Sequence, residues 1–585
     1  MNLALLGNCS YQALVDHKAT IKWLCWPRFD SSFVFGSLVD SEHGGEFSIA
    51  PPGEFDCNQA YLAHTNIVRT HFKTERGEFE VIDLAPRFFQ NQRSFKPSML
   101  IRKVRRLSGA PMVKIHCRPV YDYGETVPAH YTASNHIQWL LDGARLRLTT
   151  NAPLAYITEG RPFVFDRDLD LCLTWGEPLE APLTETCDRF LALTRAYWEK
   201  WVKHCVLPER FQEPVIRSAL ALKLHQYEDT GAITAAATTS LPEHDGSGRN
   251  WDYRYCWLRD SVFTLGALRR LGHFEEMEGF VSYLHGIAAA SPKGRLQPVY
   301  GLSGEPELVE RTLDNLSGYR GNRPVRVGNA AYGQVQHDVY GELAAAIAPL
   351  HTDVRFRDLD RSTRLLHKLM DRIEQFMEEP DVGIWEKRDQ PQVHTFSLLM
   401  HWTGANAAAR AAAASHDTEL AERSEALAKR ASTLIERAWR PDLGLFADTL
   451  DGNQADASLL MMVNLRFLRP DDSRALDHVR AVANTLRATD SLLWRYKHDD
   501  GLGDTLSAFT VCSFWHAEAL ARLGRVDEAE QVFTSLIGRA NHVGLLSEDI
   551  DPKTGELWGN FPQTYSHVGL INTAFAISDV PKPII

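Results

Sequence analysis

The 585-residue chain is 44% hydrophobic, enough to bury a large core, and its length favours more than one domain. Its formal net charge of -12, with acidic and basic residues interspersed, leaves no basic stripe for phosphates, so nucleic acid is excluded as the expected partner. The opening has only a four-residue apolar run without a basic flank, and nothing approaches the ~18 apolar residues of a membrane span, so neither a signal peptide nor a membrane partner is expected.

From about Gly45 to Trp175 the hydrophobic pattern has period two. Ile67–Leu84 reads as two strands around a Glu-Arg-Gly turn, and further strands are predicted at Met99–Val104, Val113–Cys117, Ile137–Leu141, Arg145–Thr150 and Leu169–Thr174. Many short strands with Gly, Pro and Asp between them predict an antiparallel β-sandwich. Thr184–Val206 reads as a linking helix, and the period stays helical from there almost to the end.

The helical part repeats itself. Ala267–Leu284 lies over Ala519–Leu536, each an amphipathic helix ending at a Gly that can take the left-handed cap, followed at once by an acid-started helix. Ala407–Arg440 reads as another such pair. About a dozen helices of this kind predict an α/α toroid, although an open solenoid shares the local signal. The expected division is a β-sandwich over 1–182, a linker helix over 183–210 and an (α/α)6 barrel over 211–585.

Four connections carry too many aromatic, Arg and carboxylate residues to be plain loops. The first, Arg249-Asn-Trp-Asp-Tyr-Arg-Tyr-Cys-Trp-Leu-Arg-Asp-Ser261, runs into an apolar helix. Asp260 could cap that helix; an Arg–Asp pair among aromatic rings could instead bond sugar hydroxyls while the rings stack on a pyranose. In the second, Gly383-Ile-Trp-Glu386, apolar surroundings could keep Glu386 protonated, and the alternative is a solvated Glu beside Lys387 and Arg388. The third is Trp494–Gly501. The fourth, Gly544–Asp551, offers Glu548, Asp549 and Asp551, any of which could activate water, against a bland reading as a solvated loop or weak cation site.

Acetal hydrolysis needs one protonated and one ionised carboxyl on opposite sides of the bond, and two such groups come from different loops. Other chemistries lack their signatures: there is no GxSxG, GxxxxGK[ST], HExxH or strand-following GxGxxG. The nine cysteines form no CxxC pair and no Cys/His cluster, which predicts buried thiols in a reducing compartment; with no signal peptide or span expected the reading is cytoplasmic, and neither a metal nor a cofactor is expected.

Together these loops resemble glycoside hydrolase family 15, the glucoamylase, glucodextranase and bacterial trehalase family, over nearly the whole chain. Gly7–Val15, Ile21–Ser31, Thr238-Thr-Ser-Leu-Pro-Glu243, Tyr319–Asn329 and Asn560–His567 are similar to further signatures of that family. The resemblance implies an N-terminal β-sandwich on an (α/α)6 barrel and water attack with inversion. It implies Glu386 as acid, by its Trp-Glu motif, and Glu548 as base, by its place before the last helix. Arg259 and Asp260, within Trp257–Asp260, are carried over as glucose contacts, with Tyr253 near the reacting centre, and Trp385, Arg495, Tyr496 and Arg323 as further binding residues. Phe396–Asn406 and Gly503–Ser507 depart from the bacterial members as to leaving-group recognition.

The expected function is exo-hydrolysis of a terminal α-linked glucose to β-glucose, the partner being a small α-glucoside or oligosaccharide, and a homo-oligomer is compatible with the sequence. A glycoside phosphorylase on the same barrel and a non-catalytic carbohydrate-binding protein are the alternatives. The leaving group is left open.

Overall fold

The computed structural model describes residues 1–141, 143–290, 295–352, 359–387, 391–497 and 506–578. Its N-terminal part holds two large antiparallel sheets and a two-stranded one, Phe88–Gln90 with Arg93–Phe95. One runs Leu3–Gly7, Gln12–Asp16, Thr20–Cys25, Glu46–Ala50, Met112–Arg118, Phe163–Val164, with Phe33–Phe35 paired beside Thr20–Cys25. The other runs His130–Thr132, His136–Leu141, Ala144–Thr150, Leu169–Trp175, Met99–Gly109, Gly77–Leu84, Val68–Thr74, Asp56–Tyr61. The predicted hairpin is present: Thr74 faces Gly77, so Glu75 and Arg76 make the turn. Arg102 pins the sheets together, paired with Asp83 at 2.7 Å and donating to Phe47 O at 2.6 Å and Ala19 O at 2.5 Å. A fully buried cation is tolerated here because its donors are engaged.

The strands before Gly45 are absent from the period-two reading for a physical reason. Leu3–Gly7 and Phe33–Phe35 are buried at every residue, and strands covered on both faces show apolar runs without alternation.

The linking helix, Leu183–Lys203, packs Cys187 and Phe190 on the sandwich. Beyond it, twelve helices among the described residues form two rings. The inner ring is Leu258–Arg270, Asp338–Ile347, Thr395–Ser415, the short run Ala457–Leu460 and Met461–Asn464, Thr510–Arg522, and Thr564–Ser578. Each touches the next, and the last packs back on the first, which closes a toroid rather than an open solenoid. The outer ring is Gln212–His225, Glu275–Ala290, Leu359–Phe376, Thr418–Glu436, Ala475–Leu486 and Val526–Ile537.

Burial follows position. The outer helix Ala475–Leu486 buries only a stripe, Ala475, His478, Val479, Val482, Ala483 and Leu486, whereas the inner Thr510–Arg522 is buried nearly all round. Gln212–His225 is the outer helix against the sandwich: Gln12 Nε2 donates to Leu224 O at 2.7 Å and Asn66 Nδ2 to Leu220 O at 3.1 Å. At this seam Arg87 and Lys223 share Glu228, and Lys223 also reaches Glu276 at 2.9 Å.

The sequence repeat is the inner–outer hairpin. Gly272 (φ 89) and Gly524 (φ 78) turn equivalent pairs in the left-handed conformation a side chain disfavours. These turns are short and lie at one end of the barrel. The long connections, in their described parts 226–257, 295–337, 377–387 with 391–394, 437–456, 487–497 with 506–509, and 538–563, gather at the other end, where the inner helices begin.

Candidate active site

A pocket opens at that end, lined by three carboxylates, Glu243, Asp260 and Glu386, three guanidiniums, Arg249, Arg259 and Arg495, and the rings of Trp251, Tyr253, Trp257, Trp385, Tyr496, Phe509 and Tyr565. Balanced charge beside flat apolar faces suits a sugar rather than a polyanion.

The first loop is built to present alternate residues. Ala236 N bonds Tyr253 O at 3.0 Å and Ala235 N bonds Tyr255 O at 3.2 Å, so the segment runs extended beside residues 235–236. Arg254 points away from the pocket, paired with Asp252 at 2.7 Å and donating to Ser31 O at 2.8 Å, so the sandwich braces the loop. Tyr253 and Trp257 line the pocket with ring centroids 5.4 Å apart in edge contact.

This aromatic pair joins two carboxyl groups from distant parts of the chain. Trp257 Nε1 donates to Glu386 Oε1 at 3.1 Å, and the Tyr253 hydroxyl donates to Glu548 Oε1 at 2.7 Å. Their surroundings differ. Glu386 lines the pocket, with Gln336 Nε2 at 3.4 Å and an Arg259 guanidinium nitrogen at 3.8 Å. Glu548 is 1% exposed, and Oε2 accepts Asn560 N at 3.0 Å. Burial, then the negative charge of Glu243, pushes the Glu548 pKa up to about 7 against the pull of the Tyr253 hydroxyl, the Asn560 N–H and Arg495. Glu243 receives Arg495 Nη2 at 2.7 Å and lies 3.8 Å from Arg249 Nη1.

The acids of the fourth loop separate by what they touch. Asp549 is buried and takes Ser507 Oγ at 3.0 Å, outside the pocket lining, and burial followed by the Glu548 charge raises its pKa. Asp551 accepts Lys553 N at 2.7 Å and Thr554 Oγ1 at 2.9 Å, capping its own turn. Gly559 (φ 74) crosses Glu548 so closely that a Cβ there would lie 2.6 Å from Glu548 Cβ.

Asp260 lines the pocket from the first turn of Leu258–Arg270, and the N-cap, Trp257, makes no side-chain cap bond. Burial first, with the charge of Glu386 adding, raises the Asp260 pKa to about 7. Arg259 is held by Gln336 Oε1 at 2.5 Å, Asp338 Oδ2 at 3.3 Å and the Tyr565 hydroxyl at 3.1 Å. Trp385 meets Tyr496 edge-on at 6.1 Å, and its Nε1 has no hydrogen-bond partner among the described residues. Arg495 spreads over the Tyr496 ring at 5.2 Å.

The structure thus gathers Tyr253, Trp257, Arg259, Asp260, Trp385, Glu386, Arg495 and Tyr496 around one pocket, with Glu548 bonded to its wall. It does not bring in Arg323, which is exposed and outside the lining. Phe396–Asn406 falls in the inner helix Thr395–Ser415, also outside the lining, because its side chains fill the barrel and Ser397 bonds Asp381 at 2.8 Å. Arg388, residues 498–501 of the third loop and residues 503–505 lie outside the described residues.

Sequence reasoning gave no role to Glu243, Gln336, Asp338 and Tyr565. Asp338 left a usable signal: with Glu342 it puts two acids four residues apart on an otherwise apolar helix, and both are fully buried. Among the described residues no group of three or more His, Cys, Asp or Glu is placed to hold a metal ion, and no helix is long and apolar enough to cross a membrane.

A closed double ring of helices on a β-sandwich, with two carboxyl groups at one sugar-sized pocket, defines a glycoside hydrolase by class. Residues 209–575 match the model of glycosyl hydrolases family 15, and residues 2–168 match a trehalase-like N-terminal model. The chain belongs to glycosyl hydrolases family 15 and is a hydrolase of α-glucosides. It is 33% identical to a trehalase of Mycolicibacterium smegmatis, over 97% of this chain and 89% of that protein. It is 32% identical to a trehalase of Thermoplasma acidophilum, over 96% and 97%. A bacterial glucoamylase solved with acarbose shares the fold, with TM-score 0.72 at 15% identity over 98% of this chain and 93% of that one.

Proposed function

We propose that the enzyme cleaves trehalose with inversion, Glu386 protonating the glycosidic oxygen while Glu548 takes a proton from the attacking water. The observation that carries this reading is the Tyr253–Trp257 pair, whose two polar tips bond the two carboxyl groups. A glucose ring seated on those aromatic edges would have one carboxyl toward its leaving oxygen and the other toward its opposite face. Inversion asks for roughly 6.5–9.5 Å between such groups, room for one water.

The roles follow from the surroundings. Glu548 is secluded, next to the like charge of Glu243, and receives two hydrogen bonds, so it is a base whose proton affinity is high yet whose ionised form is supported. Glu386 faces the pocket, where a glycosidic oxygen arrives. Asp260, Arg259 and Arg495 supply bonds to sugar hydroxyls, and the Trp385 ring supplies an apolar wall. A phosphorylase would want an anion site where Glu548 stands, and a mere binding protein would need neither carboxyl.

The choice of trehalose is supported by the relatives from Mycolicibacterium smegmatis and Thermoplasma acidophilum that bear the name trehalase at 32–33% identity over nearly full length. We also divide the chain into a sandwich over 1–182, a linker over 183–210 and a barrel over 211–585, a division supported by family matches ending at 168 and starting at 209. Nine free cysteines support a reducing, cytoplasmic setting.

The test is kcat/KM on trehalose, maltose and isomaltose, with Glu386→Gln and Glu548→Gln alongside. Trehalose is expected to lead by at least about tenfold, and each variant to lose at least about a hundredfold in kcat. Maltose equal to or above trehalose would overturn the substrate, and near-normal turnover of Glu548→Gln would overturn the base.

A further inference from the structure

The residue after the acid behaves unlike a loop lysine. We propose that Lys387 is a positioning residue for the general acid: its ammonium, drawn into a buried carboxylate pair, holds the turn that presents Glu386. The proposal rests on the reading of Glu386 as the acid.

The turn is tight and unfavourable on its own. Glu386 N bonds Gly383 O at 3.2 Å and Lys387 N bonds Val382 O at 3.0 Å. Glu386 itself has φ 58, in the left-handed region that a residue with a Cβ leaves unless its surroundings hold it there.

Anchors stand on both sides. Before the turn, the buried Asp381 accepts Gly383 N at 3.1 Å, Ser397 Oγ at 2.8 Å and His337 N at 2.7 Å. After it, Lys387 turns away from the pocket and its Nζ donates to Asp448 Oδ2 at 2.9 Å, the two side chains being 12% and 5% exposed. Asp448 is fixed in turn, its carbonyl receiving Thr395 N at 2.8 Å and its N–H reaching Gln454 O at 2.9 Å. A second buried carboxyl, Asp456, caps the inner run Ala457–Leu460 through Ser458 N at 2.8 Å. Its pKa is raised to about 6 by burial, with the charge of Asp448 adding and that of Lys387 opposing. One ammonium therefore answers two buried carboxyl groups, and a surface lysine would not be desolvated for this. Consecutive side chains diverge, Glu386 to the pocket and Lys387 to the barrel wall, so tension on one fixes the other.

A positioning role and a merely structural one differ in which substrates suffer. Fluoride leaves α-glucosyl fluoride as an anion without needing a proton, whereas the sugar leaving trehalose needs one from the acid. Wild type, Lys387→Met, Lys387→Arg and Glu386→Gln are to be assayed on both. Lys387→Met is expected to lower kcat/KM on trehalose roughly a hundredfold and on the fluoride by less than about threefold, with Lys387→Arg recovering most of the loss. Equal losses on the two substrates, or none on either, would overturn the proposal. Failure of Glu386→Gln to discriminate between them would instead remove the acid assignment beneath it. Should Lys387→Met not fold, Asp448→Asn removes the other end of the pair, with the same split expected and the same equal losses refuting it.

Discussion

Replacing Tyr253 by Phe removes one hydroxyl, the one that donates to Glu548 Oε1 at 2.7 Å, and keeps the ring against Trp257. That bond favours the ionised carboxyl, so its loss must raise the proton affinity of Glu548. A hydrogen bond to a charged group contributes about 1.5–3 kcal/mol, and 1.36 kcal/mol is one pKa unit, so the shift is about one to two units upward from about 7. The assay must isolate the base. In a Glu386→Gln background with α-glucosyl fluoride as substrate, no leaving-group acid is titrating and none is needed, so kcat/KM should rise with pH through the carboxyls raised to about 7, Glu548 and Asp260, of which Tyr253 bonds only Glu548. The rise is expected near pH 7, and Tyr253→Phe should move its midpoint to about 8 or above while sparing most of the alkaline plateau. Glu243→Gln should move it the other way, because it removes a like charge and frees Arg495 to favour the carboxylate. A uniform loss with unmoved midpoints would refute the reasoning.

Gly559→Ala should cost at least about a hundredfold in kcat/KM, since the new Cβ would lie 2.6 Å from Glu548 Cβ and displace the base; normal kinetics would contradict the close approach. Arg323→Ala should change kcat/KM by less than about twofold, because the side chain stands exposed outside the pocket lining. Glu228→Gln should lower stability at neutral pH. Burial alone would raise this carboxyl, but Lys223 and Arg87 outweigh it and hold it at about 2 against 4.5, a difference of about 3 kcal/mol. Because the folded value is the lower one, the contribution is complete above pH 4.5 and is lost as pH falls toward 2. Unfolding midpoints of wild type and variant should therefore converge over that window, and a constant gap would count against the seam.

How legible the molecule was depends on what its parts needed. The helical hairpins could be read because Gly272 and Gly524 stop equivalent helices and solvent-facing outer helices such as Ala475–Leu486 and Val526–Ile537 bury only a stripe. The first strands could not, because Leu3–Gly7 is apolar on both faces. Glu386 announced itself through the Trp before it, while Glu548 stood among three acids that local sequence cannot rank. The fold ranks them by partner: Glu548 to Tyr253, Asp549 to Ser507, Asp551 to its own turn. Glu243 was visible only as part of a motif, since its meaning lies in Arg495, some 250 residues away, and in the charge it sets beside Glu548. Long-range pairs of this kind leave no local period or spacing behind.

The central claim, one carboxyl on each side of the bond, is tested most directly by proton NMR of the sugars released from trehalose in the first seconds of turnover. The departing glucose keeps its α configuration in any case, so the other one decides. Inversion by Glu386 and Glu548 predicts α- and β-glucose in equal amounts before mutarotation, and two α-glucoses per trehalose would contradict it.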